Sequence, residues 1–461
     1  MNTTHYTSTG ARPNRYHFIG IGGIGMSALA HIVLQKGGNV SGSDLSSTYI
    51  TEDLQKKGAK IYFEHSEDHI DVPMVIVYNS MISDTNPEFC AGKRRGCPFL
   101  HRSDLLYDLM YKDASLLVTG THGKTTTSSL LAHLLVEAKY NPSFAVGGII
   151  KGINCNGKYG IGPYFVAEAD ESDGTFLKYN PFGAIITNID DDHFDYWRTK
   201  KKLIEGFRQF ARNVSSPEHL FWCGDDDILR SLPRKGLSYG FQEGNDLRVL
   251  SFRQNGWKNL FDMQFEKKEY RDIEIPLIGA HNVLNAAAVF GLGLRINIPE
   301  AKIRSAFSSF QGIARRMDFK GESQSICAYD DYAHHPTEIF ATLRAMKHAV
   351  DHRRLVVAFQ PHRYTRTRDC FHEFGQAFAA ADVVVLTDIY SAGEKPIDGI
   401  NSLSLLKKIQ EGSLLDIRYS SRQELPHFLC SILQKNDVLV TMGAGDITKI
   451  GPEVLLKLKN A

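Results

Sequence analysis

An α/β protein of three domains is what this sequence predicts, and three observations predict it. Short apolar runs alternate with helical stretches along most of the chain, the pattern of parallel sheets covered by helices. At 461 residues the chain is too long for one ordinary core, so about two to four domains are expected. Between about residues 236 and 278 the texture changes to antiparallel strands, an elaboration set between two α/β regions.

The elements follow in order. Residues 1–15 hold no apolar signal core and read as a flexible lead-in. From Tyr16 to about residue 105, YHFIGI reads as a strand. MSALAHIVLQK is a helix stopped by Gly37 and Gly38, NVSGSD a second strand, and AKIYFE and PMVIVYNS further strands. A second run, placed over residues 106–313, starts at SLLVTG and continues through GPYFVAEADES and GAIITNID. LRVLSFRQ, FDMQFEKKEY and RDIEIPL supply its antiparallel part, and HNVLNAAAVFGLGL is a helix. Residues 314–461 form the last region, where SICAYDD, RLVVAFQPH, DVVVLTDIY and DVLVTMGAGD are buried strands ending in polar residues. Ligands of open α/β sheets gather at the carboxyl ends of strands, which is where these unusual residues lie.

Composition narrows the function. A net charge of +1 excludes a generic nucleic-acid-binding surface, and an apolar content of 43% with 23% charged residues is that of a soluble globular protein. No apolar run reaches the roughly 18–20 residues of a membrane span. Seven cysteines without a C-x-x-C pair suit reduced thiols in a cytoplasm better than disulfides or a zinc site.

Two glycine loops carry the chemistry. Gly120-Thr121-His122-Gly123-Lys124-Thr125 sits between a strand and a helix, and shortens the G-x-x-x-x-G-K-[ST] phosphate loop by two residues. Small residues let backbone N–H groups curl around phosphate oxygens, and the helix start adds partial positive charge. Lys124 can reach terminal phosphates, and the hydroxyl of Thr125 or Thr126 can bind Mg²⁺. The competing reading is a glycine turn opening a helix beside a solvated lysine. Mg²⁺ needs hard oxygen partners, and two later strand ends supply candidates: Glu168, Asp170, Glu171 and Asp173, then Asp190, Asp191, Asp192 and His193. The other loop, Gly20-Ile21-Gly22-Gly23-Ile24-Gly25, satisfies G-x-G-x-x-G, with Asp44 nineteen residues beyond Gly25. It suits a dinucleotide, another diphosphate or close helix packing, so an NAD-dependent oxidoreductase is a rival reading. A second, lysine-bearing loop argues for two phosphorylated ligands, one of them ATP.

GTHGKTTT, EADESD, NIDDDHFD, HNVLNAAA, RRMD, DDYAHHPTE, FQPHRYTRTRD and MGAGD stand in the order of a known family, and the chain resembles the Mur ligases from about Tyr16 onward. With HFIGIGGIGMSALA at the start, the resemblance is to the branch that adds L-alanine to UDP-N-acetylmuramate. It implies a Rossmann-like UDP-binding domain, a central P-loop ATPase-like domain with an added antiparallel sheet, and a Rossmann-like C-terminal domain. Gly20, Gly22, Gly23 and Gly25, with Ser43 and Asp44, would hold the UDP-sugar. Gly120, Thr121, His122, Gly123, Lys124, Thr125 and Thr126 would hold ATP, with His281, Asn282 and Asn285 on its adenine side and Arg316 and Asp331 closing over it. Thr125, Glu168 and His193 would bind Mg²⁺, two ions in all. Lys124, His334, Arg363 and Arg366 would be catalytic, the last three shaping the amino-acid pocket.

The resemblance further implies small-molecule partners only, no nucleic acid or membrane, and a cytoplasmic monomer or weak homodimer. Several relatives carry a carbamylated lysine about fifteen positions past the metal histidine, where this chain has Arg208. A ligase that attaches a preformed tripeptide to UDP-N-acetylmuramate during wall recycling is the alternative within the family, and a catalytically silent UDP-sugar-binding regulator a further one.

Overall fold

The computed structural model describes residues 14–232, 235–411 and 415–460. The lead-in expected over residues 1–15 lies outside the described residues as far as residue 13, and the first strand already begins at Arg15. The chain packs as two compact units. Of the described residues, the first comprises those within 1–149, 154–221 and 231–236, and the second those within 150–153, 222–230 and 237–461.

The first unit contains two parallel layers. Its N-terminal sheet runs Lys60–Tyr62, Asn39–Ser43, Arg15–Ile19, Val75–Tyr78, Phe99–His101, all parallel, with the chain reversing direction across the sheet at Arg15–Ile19. Ligands collect at such a reversal, and the Gly20 loop leaves the carboxyl end of that central strand. The helix Ile24–Gln35 packs on this sheet through Met26, Leu29, Ile32 and Val33, all buried. In the second layer Gly183–Ile186, Ala114–Thr119, Tyr164–Glu168 and Ser143–Ile150 lie side by side in parallel. Ala114–Thr119 is central and buried, and the helix Lys124–Glu137 follows it after a four-residue loop.

Several strands escaped the sequence reading, among them Ser143–Ile150 and Cys155–Lys158. Ser143–Ile150 carries Gly147 and Gly148 and lacks period-two alternation, while Cys155–Lys158 is short and polar. Cys155–Lys158 is held against the N-terminal layer, where Asn156 donates to the Ile24 carbonyl at 2.6 Å and to Ser27 Oγ at 2.9 Å.

In the second unit Leu247–Asn255, Lys258–Phe265 and Lys268–Ile275 form the expected antiparallel meander. Val249, Phe261, Met263 and Ile273 turn one face inward toward the helix Ala280–Arg295. The C-terminal sheet runs Asp318–Ser323, Ile326–Asp331, Val438–Met442, Leu355–Phe359, Val383–Leu386, Asp416–Tyr419. It is parallel except for its first strand, an antiparallel hairpin partner of Ile326–Asp331. Its central strands are buried on both faces, between one cluster built on Leu343, Met346 and Phe359 and another on Leu425, Ile450 and Val454. Such double coverage explains their unbroken apolar runs. Among the described residues no helix is long and apolar enough to cross a membrane.

Candidate functional site

The lysine loop is shaped by its glycines. Gly120 has φ +129°, and a Cβ there would lie 2.1 Å from Thr187 Oγ1 and 3.0 Å from the Asn188 backbone, so only glycine fits. Gly123 has φ +83° and begins the helix Lys124–Glu137 with no side-chain cap, leaving the first helical N–H groups for an anion. The loop is braced from the neighbouring strand end. Thr121 N–H donates to the Asn188 carbonyl at 3.0 Å, His122 N–H to Asn188 Oδ1 at 2.9 Å, and Thr187 Oγ1 to the His122 carbonyl at 2.6 Å. His122 Nε2 lies 3.0 Å from Asp190 Oδ2.

Lys124 turns back into this loop. Its ammonium donates to the Gly120 carbonyl at 2.6 Å and to both carboxylate oxygens of Glu171 at 2.9 Å. Burial alone would lower the lysine pKa, but Glu171 and Asp170 outweigh it and raise it, so Lys124 is charged. His193 Nε2 stands 3.5 Å from the same Glu171 carboxylate, which is fully buried. Burial of His193 is likewise outweighed, by its Glu171 hydrogen bond and by Asp192, and its pKa is raised. His193 itself holds a left-handed backbone at φ +60°.

The predicted metal residues thus divide into two sets. Glu168 Oε1 accepts from the Gly147 N–H at 2.6 Å and from Ser128 Oγ at 3.1 Å. A Cβ placed on Gly147 would fall 2.7 and 2.8 Å from the two Glu168 oxygens and 2.9 Å from Thr125 Oγ1. A carboxylate and a hydroxyl therefore converge on a cradle that glycine keeps open, the hard-oxygen donor set that suits Mg²⁺. His193 belongs instead with Glu171 and Lys124. Thr126 is half-buried on the helix's first turn. Arg208 pairs with Glu205 on its own helix.

The other glycine loop is also assembled. Gly20 has φ +77° and its N–H donates to the Ser43 carbonyl at 2.9 Å, while Gly22 N–H donates to Asp44 Oδ2 at 2.9 Å. Gly23 precedes the helix Ile24–Gln35 without a side-chain cap. A Cβ on Gly25 would sit 3.4 Å from Arg102 Nη1, and Arg102 Nη2 donates to Asp170 Oδ2 at 2.8 Å. The Arg102 guanidinium therefore lies close to this loop while it binds the acidic segment beside Lys124. Ser43 Oγ donates to Glu88, a fully buried carboxylate that His65 Nδ1 meets at 2.9 Å and His69 Nδ1 at 2.8 Å, with His17 Nε2 at 3.2 Å. Burial would raise the Glu88 pKa, but hydrogen bonds from His17, Ser43 and His69 hold it down at about 2.

In the second unit His281 is exposed on the first turn of Ala280–Arg295, with Asn282 and Asn285 buried beneath it, Asn285 donating to Asn282 Oδ1 at 3.3 Å. Asp331 ends its strand and accepts from the N–H groups of Met317 at 2.8 Å and Ala333 at 2.9 Å. Burial pushes its pKa up to about 6 against the opposing pull of Arg316. Arg315 and Arg316 lie over the Tyr332 ring at 4.9 and 5.1 Å, and Arg315 Nη2 also donates to the carbonyls of Gly443 and Gly445 at 2.7 and 3.0 Å. His334 Nδ1 lies 3.0 Å from the Tyr332 carbonyl, and burial lowers its pKa to about 3. His362 stands edge-on to His334 at 5.7 Å, and Arg363 and Arg366 follow it, Arg363 Nε donating to Glu394 at 2.7 Å.

Glu88, Arg102, Arg315 and Glu394 were not singled out by role from sequence, and Glu171 was named only among the candidate Mg²⁺ carboxylates. The signal for Glu171 was its place in EADESD, and the others pair across the fold with residues distant in the chain.

Profile comparison gives three consecutive matches: "Mur ligase family, catalytic domain" over residues 15–113, "Mur ligase middle domain" over 118–293, and "Mur ligase, glutamate ligase domain" over 315–445. The UDP-N-acetylmuramate–L-alanine ligase of Protochlamydia amoebophila (strain UWE25) is 50% identical over 446 residues, 96% of this chain and 98% of that protein. The protein of the same name from Geotalea uraniireducens (strain Rf4) is 41% identical over 96% of this chain and 98% of its own length. A crystal structure of the UDP-N-acetylmuramate–alanine ligase of Thermotoga maritima superposes with a TM-score of 0.85 at 28% identity, covering 97% of this chain and 99% of that one. On the glycine loops, the three sheets and these full-length matches, the chain belongs to the Mur ligase family.

Proposed function

We propose that this chain is an ATP-dependent ligase that joins the amine of L-alanine to the lactyl carboxylate of UDP-N-acetylmuramate, the peptidoglycan precursor, releasing ADP and phosphate. The observation that carries the reading is the lysine loop: a half-buried, charged Lys124 under an uncapped helix start, beside a carboxylate–hydroxyl cradle. Full-length identity to alanine-adding relatives supports the choice of substrates.

A carboxylate resists amines because it is anionic and its oxygen leaves badly. Transfer of the γ-phosphoryl group to it gives an acyl phosphate, from which phosphate leaves readily. The neutral amine of alanine then attacks the acyl carbon through a tetrahedral intermediate. Lys124 opposes the repulsion between the two anions that must meet, and residues 120–126 orient the triphosphate through backbone N–H groups. Mg²⁺, held by Thr125 and Glu168 and as a second ion by His193, would supply further charge neutralisation at the phosphates. His281, Asn282 and Asn285 take the adenine side, with Arg316 and Asp331 at the nucleotide. Gly20, Gly22, Gly23, Gly25, Ser43 and Asp44 take the UDP-sugar. Arg363 and Arg366 bind the alanine carboxylate as planar charged forks, and His334, neutral at working pH, stands by the amine.

The domains follow as 16–105 for UDP-sugar, 106–313 for ATP and 314–461 for the amino acid. The enzyme works in the cytoplasm as a monomer or weak homodimer. The test is phosphate release with ATP and UDP-N-acetylmuramate against a panel of L-amino acids and short peptides. L-Alanine should be preferred; preference for a tripeptide, or phosphate release with none of them, would overturn the reading.

A further inference from the structure

Arg363 is held by one loop in two ways. The segment after the strand Val383–Leu386 brings the Tyr390 carbonyl 2.8 Å from the Arg363 N–H, and places the Glu394 carboxylate against the side chain. Glu394 Oε1 accepts from Arg363 Nε at 2.7 Å and from Thr365 Oγ1 at 2.6 Å, and Oε2 accepts from the Thr365 N–H at 3.0 Å. Both acceptor oxygens are therefore engaged, in a pair whose side chains are only 28% and 19% exposed. Arg363 has φ +69° and ψ 138°, backbone space that side-chain-bearing residues rarely enter and that persists only when the surroundings over-determine it. The same loop stacks the Tyr390 ring on His362 at 5.6 Å and 10°, and His362 in turn meets His334.

We propose that Glu394 is a positioning residue of the amino-acid pocket, fixing the rotation of the Arg363 guanidinium so that it meets the substrate carboxylate already oriented. This rests on the reading of Arg363 as a carboxylate-binding residue. An arginine loses many rotamers on binding, and a partner that removes that freedom beforehand improves affinity for the one ligand it faces. Glu394 remains ionised: burial would raise its pKa, but Thr365 and Arg363 lower it.

The test is steady-state kinetics of Glu394→Gln, which keeps the shape and one acceptor but loses the charge, with Glu394→Asp and Arg363→Ala alongside. The expected result is an alanine KM raised about tenfold or more in Glu394→Gln, with kcat, the other two KM values and Tm nearly unchanged, and partial recovery in Glu394→Asp. An unchanged alanine KM in both Glu394 variants, with a raised one in Arg363→Ala, would overturn the role of Glu394 alone. Three KM values and Tm moving together would make Glu394 a fold residue and overturn it equally. An unchanged alanine KM in Arg363→Ala would remove the reading beneath it.

Discussion

Replacing Lys124 by methionine should cost this protein stability as well as activity. The Glu171 carboxylate is fully buried and Lys124 is 16% exposed, joined by two contacts of 2.9 Å. Removing one member of a buried pair typically costs about 3–5 kcal/mol, because the other charge is left uncompensated. His193 still lies 3.5 Å from Glu171, so the expected loss for Lys124→Met sits at the lower end, about 3 kcal/mol. In Lys124→Met/Glu171→Gln both charges are gone, and the total should fall to about 1 kcal/mol, about 2 kcal/mol less than in Lys124→Met alone. Urea unfolding of the ligand-free protein measures this. Trp197 donates its indole N–H to the Glu171 carbonyl at 2.9 Å, so its fluorescence, with Trp222 and Trp257 replaced by phenylalanine, reports on the site. Additive costs in the double variant would refute the buried pair as the source of the loss.

Further outcomes follow from the same geometry. Glu88→Gln should destabilise the protein by about 3 kcal/mol near neutral pH, since the carboxylate is held at about 2 against an ordinary glutamate value of 4.5. A depressed carboxylate stabilises above its unfolded pKa, so the gap between variant and parent should close as pH falls from about 4.5 toward 2; a pH-independent gap in urea titrations would contradict it. Gly147→Ala pushes a methyl into the Glu168–Thr125 cradle and should raise the Mg²⁺ concentration for half-maximal activity about tenfold or more, whereas unchanged Mg²⁺ dependence would place the metal elsewhere. His334, at about 3, stays neutral at working pH, so an acid limb in kcat/KM for alanine between about pH 6 and 7 that vanishes in His334→Gln would refute its buried state.

Much of this was legible in the residues because local chemistry sufficed. Gly120 and Gly123 mark a strand-to-helix break that only positive φ permits, and the apolar runs ending in DD, QPH or TMG mark buried strands whose tips hold residues proposed for the site. The acidic segment was legible as a composition and not as a geometry. Glu168 ends its strand facing Gly147, while Glu171, three residues on, turns under the loop to Lys124, and no periodicity distinguishes the two. Glu88 and Glu394 were silent for a related reason. Each gains its meaning from partners 19 to 71 or 29 to 31 positions away, brought together by sheet order and loop path. The glycine-bearing strand Ser143–Ile150 was missed although it supplies the floor of the proposed metal cradle.

Oxygen transfer tests the mechanism most directly. UDP-N-acetylmuramate labelled with ¹⁸O in its lactyl carboxylate, incubated with ATP, L-alanine and the enzyme, should yield ADP and inorganic phosphate carrying one ¹⁸O per turnover. The label marks the carboxylate oxygen that attacked the γ-phosphorus. Phosphate free of label, or AMP and pyrophosphate in place of ADP, would contradict an acyl phosphate formed over the lysine loop.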